Sequence, residues 1–193
     1  MKNLKDFIKV YDNVLDKDIC KKIIETAAKD PSKFRRATLE DKVINGKETR
    51  APVTIYKEDV EIRNCYNKLL SQKFETTVFG TVGNVLTLYQ NDIGSFAHGA
   101  QGIDTGYIHL FYKGSEKGKY KTHTDHFSAE PRLLSISILL NDNFDGGNFC
   151  FFDEYVIEKK VGSAIVFPSN FMFPHAVLPV SNGDRHSIVT WIR

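Results

Sequence analysis

Three things are scarce in this chain, and each scarcity excludes a class of protein. Cysteine occurs only at Cys20, Cys65 and Cys150. An odd, scattered set is no disulfide framework; it fits reduced thiols, so a cytoplasmic address is expected. Long apolar runs are missing as well, and none approaches the ~20 residues of a membrane-spanning helix. The opening Met1-Lys2-Asn3-Leu4-Lys5-Asp6 leads straight into a mixed segment, with no pattern of a secretory leader. Charge of one sign is the third absence: 26 Lys and Arg against 24 Asp and Glu leave a formal +2. That balance gives no reason to expect nucleic acid or a membrane surface as partner. There is also no P-loop, no dinucleotide fingerprint, no internal repeat and no low-complexity tract.

What is present is apolar and aromatic. Hydrophobic residues make up 41% of the 193, with 14 Phe and 8 Tyr. A chain of this size buries a substantial core, and one domain spanning residues 1–193 is the natural count. Residues 7–15 alternate enough for a strand. Asp16 then caps a helix whose apolar side is Ile19, Ile23, Ile24 and Ala27. Residues 60–74 suit a second helix, with Cys65, Tyr66, Leu69 and Leu70 inward. Residues 30–52 are polar and read as a hairpin or mobile loop, and 40–52 as a candidate lid over substrate. Residues 76–104 are ambiguous between an apolar segment and a loop. From Tyr107 onward the pattern changes to short strands and turns, the mark of an antiparallel sandwich or barrel. Residues 134–140 alternate Ser135 and Ser137 against Leu134, Ile136, Ile138 and Leu140. Val180-Ser181-Asn182-Gly183-Asp184 reads as a hairpin turn. Composition carries no signal for an oligomeric state.

The chemistry sits in this second half. In a strand, residues i and i+2 point the same way, so His123 and Asp125 present an imidazole and a carboxylate side by side. With His175, which follows Phe173-Pro174, they would form a two-histidine, one-carboxylate facial triad for non-haem Fe(II), with no thiolate to favour zinc. The plain alternatives are a polar His–Asp pair or a structural zinc site. Arg185 and Ser187 are again i and i+2, so a guanidinium and a hydroxyl could grip one carboxylate together. Arg185 shares its face with Ser187, Val189 and Trp191, and a guanidinium buried there would need an anion. His126 and His186 point away by alternation, and His98 and His109 read as structural.

At these residues the sequence resembles a family, the 2-oxoglutarate/Fe(II)-dependent dioxygenases of the prolyl 4-hydroxylase type. The resemblance rests on Tyr112 with His123-Thr124-Asp125, on Ser135 to Asp142, and on Phe144-Asp145-Gly146-Gly147-Asn148-Phe149. It continues through Val161-Gly162-Ser163-Ala164-Ile165-Val166-Phe167-Pro168, His175-Ala176-Val177-Leu178-Pro179-Val180 and Gly183-Asp184-Arg185-His186-Ser187. It implies an α+β fold: a double-stranded β-helix (jelly-roll, cupin-like) core over residues 105–193, with helical support and a substrate loop in 1–104. It also implies that His123, Asp125 and His175 ligate Fe(II), and that Arg185, Ser187 and Tyr112 bind 2-oxoglutarate. Tyr120 is a second choice for the tyrosine hydroxyl, and Lys121 the nearest other candidate for the anion site. O2 would be the other co-substrate and ascorbate a candidate reductant.

The activity implied is hydroxylation of an unactivated C–H bond with release of succinate and CO2, the substrate being a prolyl residue in a peptide or protein. A second reading keeps the chemistry but takes a free amino acid or other small molecule. A third is a non-catalytic, cupin-like metal-binding protein. Arg185 and Ser187 argue against the third, since a structural metal needs no second anion pocket.

Overall fold

Alternation along one strand decides the architecture. All six residues of Leu134–Leu139 are buried, so both faces of this strand are covered. Leu134, Ile136 and Ile138, with Leu140, pack into one apolar cluster with Ile23, Val78, Val85 and Tyr89 from two helices. Ser135 and Ser137 face the opposite way, into a space between two sheets. The computed structural model describes residues 2–37, 43–44, 47–48, 57–97, 102–128 and 131–193.

The larger sheet runs Lys9–Tyr11, Ala164–Pro168, Leu134–Leu139, Asp184–Ile192, Ile108–Lys113, Tyr66–Leu69, Arg35–Arg36. The smaller runs Tyr155–Val156, Phe149–Phe151, His175–Val177, Lys119–His123, Arg63–Asn64. Neighbouring strands are antiparallel in both. Between the sheets lies a second apolar cluster, with Leu110, Tyr112, Phe149, Phe151, Phe167 and Val177 in it. Helices cover the outer face of the larger sheet. This is the antiparallel sandwich that the short-strand pattern predicts and the α+β, double-stranded β-helix arrangement that the resemblance implies.

The helices follow from spacing and caps. Asp16 accepts from the backbone N–H of Asp18 and Ile19, starting Lys17–Ala28, which buries Cys20, Ile23 and Ala27. The long helix Gln72–Ile93 buries Phe74, Val78, Val82, Val85, Tyr89 and Ile93. That i, i+4, i+7 rhythm makes one apolar stripe and resolves the ambiguous stretch beyond residue 76 as mostly helix.

Three expectations are corrected. Residues 60–74 are not one helix: Lys57–Ile62 is helical, then Arg63–Asn64 and Tyr66–Leu69 are strands. Tyr66–Leu69 pairs with residues Ile108 to Phe111 of the larger sheet, and this pairing overrides local helical periodicity. Cys65 and Leu70 are nevertheless buried. The first strand is only Lys9–Tyr11, after a 3-10 turn at Leu4–Phe7. Val180–Asn182 forms no hairpin with the strand that follows. It pairs with Asp145–Gly146, and at Gly183 (φ 69°) the chain turns into Asp184–Ile192 of the larger sheet. The proposed lid, residues 40–52, lies outside the described residues except for Val43–Ile44 paired antiparallel with Lys47–Glu48. His98 lies outside them too.

Ile138 is 1% exposed in the helix-facing cluster. Truncation there leaves a cavity that a two-sided contact cannot close, so Ile138→Ala is expected to cost about 2–5 kcal/mol. Urea unfolding with an unchanged m-value and a lower midpoint would confirm it; an unchanged midpoint would mean that this cluster is not a stabilising core.

Candidate active site

The smaller sheet sets two of the three metal donors. His123 ends Lys119–His123 and His175 begins His175–Val177, and the antiparallel register places them as direct partners. Each imidazole is oriented by the carbonyl two residues before it. Lys121 O lies 2.8 Å from His123 Nδ1, and Phe173 O lies 3.1 Å from His175 Nδ1. A carbonyl can only accept, so both Nδ1 atoms carry a proton and Nε2 is the ring atom turned toward the site in each. Tyr120 stacks on His123 with ring centroids 3.5 Å apart, and Phe149 stacks on His175 at 5.1 Å.

Asp125 supplies the third donor. Its backbone N–H donates to Ser169 O, 3.2 Å away, which turns the chain inward just after the strand. Oδ1 lies 3.5 Å from His123 Nε2 and Oδ2 lies 3.6 Å from His175 Nε2. The three donor atoms all lie within 4.8 Å of one another. Burial alone would raise the Asp125 carboxyl. The facing His175 and His123 imidazoles and the Ser135 hydroxyl outweigh it and hold the group well below the usual carboxylate range. Burial pushes His175 down to about 4, so at neutral pH it is an unprotonated imidazole. Two imidazole nitrogens and a carboxylate oxygen, with no sulfur, match Fe(II).

Arg185 and Tyr112 are cross-strand partners in the larger sheet, and the guanidinium sits 5.1 Å from the Tyr112 ring centroid. Arg185 is 3% exposed and Ser187 is 0% exposed. Nη1 donates to Ser187 Oγ at 2.8 Å, while Nε has no acceptor among the described residues. A buried cation with an unsatisfied donor and no acidic partner among the described residues is a receptor for a carboxylate. The donor set suits Fe(II), and this cation suits one end of 2-oxoglutarate.

A cavity of about 40 Å³ lies between the sheets, lined by His123, Asp125, His175, Tyr112, Tyr120 and Trp191 among others. All six predicted site residues therefore converge on one region, with a difference in depth. The metal donors and Tyr112 form the cavity wall, whereas Arg185 and Ser187 lie beyond its lining. Tyr112 and Tyr120 both reach the cavity, so the choice between them becomes a division of place: Tyr112 over Arg185, Tyr120 over His123. Lys121 lines an outer groove of the smaller sheet instead.

Two participants went unrecognised in the sequence. Ser135 Oγ and Trp191 Nε1 donate to Asp125 Oδ2 at 2.7 and 2.9 Å. Both were visible as pocket-facing by alternation, Ser135 against Ile136 and Trp191 alongside Arg185, but nothing in the pattern named Asp125 as their target. His126 and His186 do point elsewhere: His126 Nδ1 meets Arg132 O, and His186 Nδ1 meets His109 Nε2 at 3.0 Å.

Residues 108–193 match the sequence model of the 2OG-Fe(II) oxygenase superfamily. No curated relative matches the chain. Among solved structures it is similar to a Pseudomonas putida prolyl-4-hydroxylase, at TM-score 0.64 and 18% identity over 97% of this chain and 92% of that one. It is also similar to a Trichoplax adhaerens prolyl hydroxylase in complex with a hypoxia inducible factor oxygen degradation domain peptide fragment (TM-score 0.70, 16% identity, 97% and 83% covered). A third is the 2OG complex of a viral collagen prolyl hydroxylase from Paramecium Bursaria Chlorella virus-1 (TM-score 0.63, 18% identity, 97% and 96% covered). Each of the three donors supplies one of only three protein bonds to iron. Asp125→Ala is therefore expected to weaken Fe(II) binding by more than the roughly 100-fold seen for loss of an outer partner; calorimetric titration showing wild-type affinity would remove Asp125 from the site. The superfamily match covers the strands that carry these donors, and the chain shares the fold of the prolyl 4-hydroxylases.

Proposed function

We propose that this protein is an Fe(II)- and 2-oxoglutarate-dependent oxygenase that hydroxylates a prolyl residue in a peptide or protein. One observation carries the reading: three metal donors within 4.8 Å of one another share an inter-sheet cavity whose wall covers a buried, unneutralised arginine. His123, Asp125 and His175 would hold Fe(II), which when bound supplies the activation of O2 that couples oxidation of 2-oxoglutarate to substrate oxidation. The overall balance is one oxygen atom of O2 into succinate, with CO2 released, and the other into the C–H bond as a hydroxyl.

The chain's own residues bind, orient and exclude water. Arg185 and Ser187 receive the distal carboxylate of 2-oxoglutarate through charge-assisted hydrogen bonds, and Tyr112 borders the same contact. Phe149, Phe167, Val177 and Val189 line the cavity with hydrocarbon, which keeps water from the reacting groups. Asp125 stays ionised and His175 neutral at physiological pH, so neither of these two donors needs to lose a proton to act.

The substrate class draws support from exposed aromatics close in sequence to the metal donors. Phe127 is 47% exposed and Phe171 82%, on the loops that follow Asp125 and precede His175. Exposed apolar side chains of this kind favour an extended partner such as a peptide. A prolyl hydroxylase of this fold from Trichoplax adhaerens in complex with a peptide fragment supports the same reading. Ascorbate as reductant and a reducing, cytoplasmic setting belong to the same proposal; the free thiols of Cys20, Cys65 and Cys150, all buried, support the second.

Succinate release from 2-oxoglutarate with Fe(II), screened against proline-containing peptides and free proline, tests the reading. Stimulation by peptides supports it; stimulation by free proline alone moves the substrate to small molecules, and no turnover with any substrate favours a binding protein. Arg185→Ala is expected to weaken 2-oxoglutarate binding by about 2–5 kcal/mol with little change in Fe(II) affinity. Equal 2-oxoglutarate affinity in both proteins would place the anion site elsewhere.

A further inference from the structure

We infer that Trp191 and Ser135 are positioning residues that clamp Asp125 so that a single carboxylate oxygen, Oδ1, is left for the metal. The inference rests on the metal reading of His123, Asp125 and His175. Oδ2 accepts from Ser135 Oγ at 2.7 Å and from Trp191 Nε1 at 2.9 Å, two donors from neighbouring strands of the larger sheet. Together they occupy both lone-pair directions of that oxygen.

Each donor is itself held in one orientation. An ionised carboxylate cannot donate, so the single Ser135 proton goes to Asp125. The Ser169 hydroxyl, 2.8 Å from Ser135 Oγ, must then donate to Ser135. Ser169 is 1% exposed, and its carbonyl accepts the Asp125 backbone N–H, so one residue fixes both ends of Asp125. The indole is fixed from its face: the Arg132 guanidinium lies 3.8 Å from the Trp191 ring centroid and reaches Asp125 O from Nη1 at 3.3 Å. Trp191 and Ser135 are thus rigid donors aimed at one oxygen.

The consequence is chemical. A carboxylate free to rotate can offer both oxygens to a metal and take up a position that co-substrate or O2 requires. With Oδ2 committed to two hydrogen bonds, Asp125 contributes one bond, and the open positions of a facial triad are preserved.

The test uses the full chain, metal-free, titrated calorimetrically with Mn(II) as a redox-silent probe: wild type, Ser135→Ala, Ser135→Thr and Trp191→Phe. Ser135→Ala and Trp191→Phe are each expected to weaken Mn(II) binding by about 10- to 100-fold, while Ser135→Thr, which keeps the hydroxyl, binds like wild type. Thermal unfolding of the metal-free proteins reads any structural role separately, because a fold defect lowers the melting temperature without following the Ala/Thr distinction. A second readout needs no variant. Trp191 is the chain's only tryptophan, so its emission should change on saturation with Co(II), and not in Asp125→Ala. Wild-type Mn(II) affinity in both Ser135→Ala and Trp191→Phe, failure of Ser135→Thr to restore binding, or emission indifferent to bound Co(II) would each overturn the clamp. Absence of Mn(II) binding by the wild type would overturn the metal reading beneath it.

Discussion

An ionised carboxylate enclosed between two apolar-walled sheets is the constraint on which this structure turns. Removing such a group from water costs several kcal/mol unless its neighbours replace the lost hydration. At Asp125 the replacements come from different parts of the chain. Two imidazoles come from the smaller sheet, a hydroxyl and an indole N–H from the larger, and a carbonyl at Ser169 holds the backbone. None of these segments is adjacent to another in sequence except His123 and Asp125. Closing the sandwich and assembling the site are therefore one event.

The two histidines reach the same state by the same local device. Each is tied at Nδ1 by the carbonyl two residues earlier, Lys121 for one and Phe173 for the other. That leaves Nε2 as the lone-pair atom in both, a choice made by strand geometry and not by the metal. Enclosure by Phe149, Phe167 and Phe151 then disfavours the imidazolium of His175. The aromatic wealth of the composition thus has a second use beyond core filling: it keeps protons from competing for a ligand atom.

Period-2 logic made much of this legible in the sequence. The i, i+2 pairs His123/Asp125 and Arg185/Ser187 needed only a strand beneath them, and alternation in Leu134–Leu139 separated a helix-facing side from a site-facing one. What stayed hidden depended on contacts across sheets. Residues 60–74 carry apolar side chains at helical spacing, yet the larger sheet takes Tyr66–Leu69 as a strand between Ile108–Lys113 and Arg35–Arg36, whose backbone groups must be paired. Trp191 was placed on the right face, but an indole's hydrogen-bond partner is set by how two sheets approach, which no single strand records. The long helix was obscured by Gly80, Gly83 and threonines that lower local propensity; its buried stripe, visible only against the sheet, supplies the stabilisation instead.

Arg185 brings the argument to function. Hydrocarbon of similar volume would fill its place in the sheet without stranding a charge, so packing does not account for a guanidinium. Its present contacts are a serine hydroxyl and the face of Tyr112. An aromatic face offers a cation about 0.5–2 kcal/mol, well short of the desolvation it has undergone, and Nε receives nothing. A carboxylate entering from the cavity would satisfy that donor with a charge-assisted bond, stronger than the ring contact it supplements. The larger sheet thus holds, along one strand, a buried arginine and the tryptophan that donates to Asp125. On the function proposed above, a co-substrate with a chelating keto acid at one end and a second carboxylate at the other is the ligand that fits both.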